Sequence, residues 1–204
     1  MHVKALMVDV DGVIVVHPHA TGWSVRLMED LGVSSERLHQ DFFAKHWDDI
    51  IHGRAGIHER LGPMLAAIAP KVSSQALTEY WFREDASLNH ELLRELAELR
   101  QTGVQLHLAT VQEHERARFL WSTLGLSEHF DAIHYSAAIG FAKPDARYFE
   151  AIEKQTGFLG TELAFIDDKA SNVDAARSRG WKAAIWTGKQ SLHEVMESVG
   201  VTFG

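Results

Sequence analysis

Two aspartates, Asp9 and Asp11, stand two positions apart in the stretch KALMVDVDGVIVV and are followed at once by Gly12. Carboxylates this close repel each other unless a cation or a shared proton lies between them, and a divalent metal is the simplest partner. A calcium loop also begins D-x-D, but it needs glycine at its sixth position and glutamate at its twelfth, where this chain has Gly12 at the fourth and Ala20 at the twelfth. That reading is excluded. Further along stand Thr110 at the end of VQLHLAT, Lys143 in GFAKPD, and Asp167 with Asp168 at the end of LAFIDD. Taken singly, each has a plain structural explanation: a strand-end turn for Asp9 to Gly12, a turn residue for Thr110, a solvated lysine before proline, and a helix N-cap for the acidic pair.

The elements that carry these residues are readable from pattern. Val3 and Ala5 to Val8 form an apolar run into Asp9, the signature of a buried strand whose carboxyl end is where open α/β sheets place their chemistry. From Thr21 to about Phe82 the pattern is helical only, with predicted helices over Thr21–Leu31, Ser35–Trp47, Arg54–Ala69 and Ser73–Phe82. From Asn89 helices alternate with strands. Asn89 caps a helix that ends at Gly103, Val104–Ala109 is a strand, and Gln112–Leu124 is a helix stopped by Gly125. AIHYS is a strand, Asp145–Thr156 a helix, LAFIDD a strand, Ala170–Arg179 a helix and KAAIWT a strand, and Ser191 with Glu194 forms a capping box for the last helix. The expectation is an α/β fold: a doubly wound, Rossmann-like parallel sheet core at residues 1–16 and 85–204, with an inserted all-helical cap domain at 17–84 after the first strand. In such a sheet all four polar strand ends share one edge, and the cap sits over it as a lid hinged near Val16–His19 and Phe82–Leu88.

Composition narrows the function. Of 204 residues, 46% are hydrophobic and 24% charged, as in a soluble globular protein, and the formal net charge of −8 argues against nucleic acid or an anionic membrane as partner. No window approaches the roughly 20 apolar residues of a membrane span. The absence of cysteine excludes disulfides, thiolate zinc sites and cysteine nucleophiles. Asp9 interrupts any apolar leader early, so the expected address is cytoplasmic.

In their order along the chain, VDVDG with Asp9 and Asp11, LAT with Thr110, GFAKPD with Lys143 and FIDD with Asp167 and Asp168 resemble the four motifs of the haloacid dehalogenase-like (HAD) hydrolase superfamily. GFAKPDARYFEAI and FIDDKASNVDAARSRGWKAAIW look like subfamily I, whose helical cap lies between the first and second motifs. The resemblance implies phosphoryl transfer through an aspartyl-phosphate, with Asp9 as nucleophile and Asp11 as general acid and base. It implies Mg2+ held by Asp9, the backbone carbonyl of Asp11 and Asp168, with Asp167 behind them. Thr110, Val111 and Lys143 are the phosphate-binding candidates, Lys143 also offsetting carboxylate repulsion. Two departures stand out. Thr110-Val111 replaces the Ser or Thr followed by Asn or Gly of many relatives, which alters the contacts beside the phosphate. Asn172 replaces an acid of some relatives and is expected to orient a neighbour and not to bind metal.

Asp11 points to phosphate esters and away from carbon–halogen bonds, because true dehalogenases lack that second aspartate. The expected activity is therefore a Mg2+-dependent phosphatase acting on a small phosphorylated metabolite. The alternatives at this point are a sugar phosphomutase of the β-phosphoglucomutase type and a non-catalytic binding protein on the same fold. His17 and His19, flanking Pro18, are candidates to reach a leaving group, whereas His39, His46, His52 and His58 follow no metal-ligand spacing and are expected on the surface. The sequence leaves oligomeric state and leaving group open.

Overall fold

The computed structural model of the chain describes residues 3–16 and 22–201. Five strands, β1 (Ala5–Val8), β2 (Gln105–Thr110), β3 (Ala132–Tyr135), β4 (Leu163–Asp167) and β5 (Lys182–Ile185), pair in the order β3-β2-β1-β4-β5, and every pairing is parallel. Alternation along β1 explains the layers: Leu6 and Val8 face one apolar cluster with Leu92, Leu96 and Leu108, while Ala5 and Met7 face another with Tyr148, Phe149, Phe165 and Val173. Both faces are covered, so the sheet is doubly wound. Each fully buried Leu, Met or Phe contributes roughly 1.5–3 kcal/mol against exposure.

Between β1 and β2 the described residues hold helices and no strand: α1 (Leu27–Leu31), α2 (Ser35–Leu38), α3 (Ala44–Ile51), α4 (Ile57–Ile68) and α5 (Ser74–Glu84), before α6 (His90–Arg100) returns to the sheet. The remaining helices are α7 (His114–Arg118), α8 (Ser136–Ile139), α9 (Ala146–Thr156), α10 (Ala170–Ser178) and α11 (Leu192–Glu197). The α1–α5 segment has its own core around Trp81, whose ring stacks on Trp23 at 5.1 Å and meets Phe43 at 5.4 Å and Trp47 at 5.6 Å. No helix among the described residues is long and apolar enough to cross a membrane.

The two connections of this segment run side by side. Val15 forms an antiparallel bridge with Leu88, Val16 N–H donates to Ser87 O at 2.9 Å, and Asn89 N–H donates to Ile14 O at 2.8 Å. At the far side the segment rests on the sheet domain at Gly53, where an added Cβ would lie 2.3 Å from Ala137 O.

Several boundaries differ from the sequence expectation. The helix expected from Thr21 begins at Leu27, after turns that follow Gly22, whose φ of 77° is outside the helical region. The cap at the second helix is Ser34, accepting from Arg37 N–H, and that helix passes through a π turn at His39–Phe43 into α3 and on to Ile51. Likewise α7 starts at His114 under a Glu113 cap and continues through a π turn at Phe119–Thr123. One extra residue in a turn rotates the apolar stripe without breaking it, which a fixed helical period does not register. Asn89 and the Ser191–Glu194 box cap as expected, while Asp145, expected as the first residue of its helix, is the cap of one that starts at Ala146. Of the four histidines expected at the surface, only His39 is fully exposed, while His46, His52 and His58 are half-buried. His17 and His19 lie outside the described residues.

Two other histidines are buried on the α9 side of the sheet. His107 Nδ1 lies 3.0 Å from His134 Nε2, and the chain of contacts runs from Gln105 through both rings to Gln155.

Candidate active site

Parallel pairing brings the carboxyl ends of β1, β2 and β4 side by side, and with them Asp9, Thr110 and Asp167. Lys143, from the loop before α9, reaches into this row and is almost wholly buried. An ammonium has three N–H donors, and all three are met: Asp9 Oδ1 at 2.8 Å, Asp167 Oδ2 at 2.6 Å and Ala109 O at 2.8 Å. Burial alone would lower its pKa, but Asp9 and Asp167 outweigh that and shift it upward. Burial pushes the Asp9 carboxyl up to about 7; Lys143 pulls against this, and Asp167 adds to it. Burial and the adjacent Asp167 also raise Asp168. A bound cation would reverse that drift and favour the ionised carboxylates.

Asp9, Asp167 and Asp168 each offer a carboxylate oxygen within 4.8 Å of the others. Their surroundings divide the roles. Asp167 takes both Asn172 contacts at 3.0 Å, the Lys169 N–H at 2.8 Å and Lys143, so its oxygens are already engaged. Asn172 thus orients Asp167, as its side-chain type suggested. Asp168 is exposed at the mouth, and Gly12, with φ of 83°, lets it approach so closely that a Cβ there would sit 2.6 Å from Asp168 Oδ2. The all-oxygen donor set of Asp9 and Asp168, with Asp11 on the same turn, fits a hard divalent cation such as Mg2+.

Thr110 presents the complementary feature. Its hydroxyl is buried at the same edge and has no hydrogen-bond partner, a state that costs about 1–3 kcal/mol unless a ligand oxygen completes it. Tyr148 Oη donates to Thr110 O at 3.2 Å and His134 O at 3.0 Å, tying the ends of β2 and β3 together. Val111 follows, half-buried, with only its backbone N–H to offer a ligand.

Asp11 is held by two residues that motif reading does not single out. Gln112, just before α7, donates from Nε2 to Asp11 Oδ2 at 2.6 Å, and Arg116, within α7, brings Nη2 to 4.0 Å from Asp11 Oδ1. Arg116 is the largest of the fully buried side chains, and an arginine interrupting the apolar positions Ala117 and Leu120 was the available signal.

The fold is a doubly wound parallel sheet with a buried strand-end carboxylate, Asp9, paired with Lys143. The family model for haloacid dehalogenase-like hydrolases matches residues 3–180, and the chain belongs to that family of enzymes. Among curated proteins, the sesquiterpene phosphatase astK of Aspergillus oryzae is 26% identical over 187 residues, covering 87% of this chain and 86% of that protein. The phosphoserine phosphatase of Thermus thermophilus is 32% identical over 118 residues, covering 55% of this chain and 46% of that protein. Among solved structures, the HAD family enzyme BT-2542 of Bacteroides thetaiotaomicron, in complex with magnesium and inorganic phosphate, superposes with a TM-score of 0.77. It is 17% identical and covers 94% of this chain and 98% of that one.

Proposed function

We propose that the protein is a Mg2+-dependent phosphatase that hydrolyses a small phosphorylated metabolite through a phosphorylated Asp9. The observation that carries the reading is the buried, unpartnered Thr110 hydroxyl on the same sheet edge as Asp9, whose own charge is offset by Lys143. An anion-binding donor beside a compensated nucleophile is what phosphoryl transfer to a carboxylate requires.

Asp9 attacks the phosphorus, and Asp11 gives its proton to the leaving oxygen. The Asp9 acyl-phosphate is then hydrolysed by a water that Asp11 deprotonates, which restores both side chains. Thr110 and the Val111 N–H receive phosphoryl oxygens. Lys143, whose donors already meet protein oxygens, contributes positive charge in this arrangement. Asp9, the Asp11 carbonyl and Asp168 would hold Mg2+, which would supply charge neutralisation, and Asp167 and Asn172 would support that set from behind. The α1–α5 segment acts as a lid that keeps bulk water from the edge and selects the alcohol.

The relatives named sesquiterpene phosphatase astK and phosphoserine phosphatase support a phosphatase reading, and their names differ in the group that carries the phosphate. The test is a panel of phosphorylated metabolites assayed with Mg2+, with excess EDTA and with Ca2+, followed by acid-quench mapping of labelled phosphate. Turnover lost in EDTA and restored by Mg2+, with label on Asp9, is the expected result. Full activity in EDTA, or label elsewhere, would refute it.

A further inference from the structure

Arg116 makes contacts that reach in two directions. On one side Nη1 donates to Phe82 O at 3.2 Å, and Nη2 donates to Asp85 O at 2.5 Å and Asp85 Oδ2 at 3.1 Å. These carbonyls belong to the last turn of α5 and its cap, where helical C=O groups lack partners within the helix and a cation is favoured. The guanidinium also lies over the rings of Phe82, at 5.3 Å, and Phe119, at 5.8 Å. On the other side stands Asp11, 4.0 Å away and braced from its second oxygen by Gln112. One rigid fork therefore grips the segment where the helical insertion returns to the sheet domain and faces the carboxyl group that must deliver a proton.

A lysine at this place could not do both, because a point charge lacks the planar spread of donors. Nor does burial of Arg116 serve stability in any simple way, since removing a guanidinium from water is costly and apolar residues would fill the space at least as well. Gln112, just before the Glu113 cap, and Arg116, within α7, approach opposite oxygens of the same carboxylate. That is the arrangement expected of groups that set its orientation.

We propose that Arg116 is a positioning residue: it aligns the Asp11 carboxyl group for proton transfer only while the returning segment, Phe82 to Asp85, is docked against it. Closure of the helical segment and competence of the acid are then one event. The inference rests on the phosphatase reading above.

Two variants test it, Arg116→Lys and the independent Asp85→Asn, which leaves the guanidinium in place and removes the ion pair to the returning segment. Each is assayed with an alkyl phosphate, which needs a protonated leaving group, and with p-nitrophenyl phosphate, which does not. Arg116→Lys should lower kcat for the alkyl ester about tenfold more than for the aryl ester, with KM for both changed by less than about twofold. Asp85→Asn should show the same preference to a smaller degree. In an Asp11→Asn background the preference should disappear, since there is no acid left to position. Equal losses for both esters, or an undiminished preference in the Asp11→Asn background, would overturn the proposal and leave the phosphatase reading standing. No turnover of any phosphate ester by the unaltered protein would overturn both.

Discussion

Lys143 Nζ lies 2.6 Å from Asp167 Oδ2, and both side chains are closed off from solvent. A buried cation held by two carboxylates is the electrostatic keystone of the sheet edge, because removing it leaves Asp9 and Asp167 facing each other without compensation. Lys143→Met should abolish phosphatase activity and lower the unfolding free energy by about 3–5 kcal/mol, the usual cost of breaking a buried ion pair. Adding Asp167→Asn should recover part of the stability and none of the activity. Denaturant melts of the single and double variants check this, and no recovery in the double variant would show that the repulsion is not what destabilises the single one.

The two aspartates after β1 should separate cleanly although they are chemically alike. Asp9→Asn removes the nucleophile, so no phosphorylated protein should form with any ester. Asp11→Asn keeps the attack and should lose roughly 10²- to 10⁴-fold in rate for alkyl esters, with a smaller loss for aryl esters and a longer-lived phosphorylated protein. Rapid-quench labelling distinguishes them; label trapped on Asp11 would reverse the assignment.

Much of this was legible before any coordinates. The strands announced themselves as continuous apolar runs ending in Asp9, Thr110 and Asp167, because a sheet covered on both faces admits little else. Asn89 and Ser191 marked helix starts through capping chemistry that acts over three residues. Gln112 and Arg116 were not legible, since their partner Asp11 is 101 residues from Gln112 in the chain and only folding joins them. The extra residue at each π turn and the early breakdown of the Thr21–Leu31 helix escaped for a related reason: tertiary packing decided them against the local period.

Gly12 offers a probe of the proposed metal site that replaces no ligand. An alanine there meets the Asp168 carboxylate at 2.6 Å and also forces a positive φ that costs about 1–2 kcal/mol. Gly12→Ala should weaken Mg2+ binding about 10- to 100-fold, read by calorimetric titration. Unchanged affinity would mean that Asp168 is not a ligand.

The His107–His134 pair gives the fold an acid limit. Burial, helped by repulsion from His134, pulls His107 down to about 4, and burial also lowers His134. Both rings are therefore neutral in the folded protein, while an unfolded histidine takes up a proton below about pH 6.5. The contribution of this pair to stability should be constant above that value and fall as the pH drops from 6.5 toward 4, by on the order of 1 kcal/mol at pH 5, opposite in sign to that of the raised Asp9 carboxyl. Melting temperatures of the protein and of His107→Gln across this range should diverge by this amount; parallel curves would place the acid sensitivity elsewhere.

The pairing of Val15 with Leu88 also says something about how such a chain could have been assembled. The outgoing and returning backbones meet within one strand spacing, so the sheet domain experiences the whole excursion as a short hairpin, whatever its content. Because closure entropy grows only slowly with loop length, a longer, shorter or wholly different helical unit spliced at this gate costs the sheet almost nothing. On the proposed phosphatase reading the gate makes the helical segment an exchangeable lid: other phosphate esters can be tried by trading one module, while the sheet edge stays as it is.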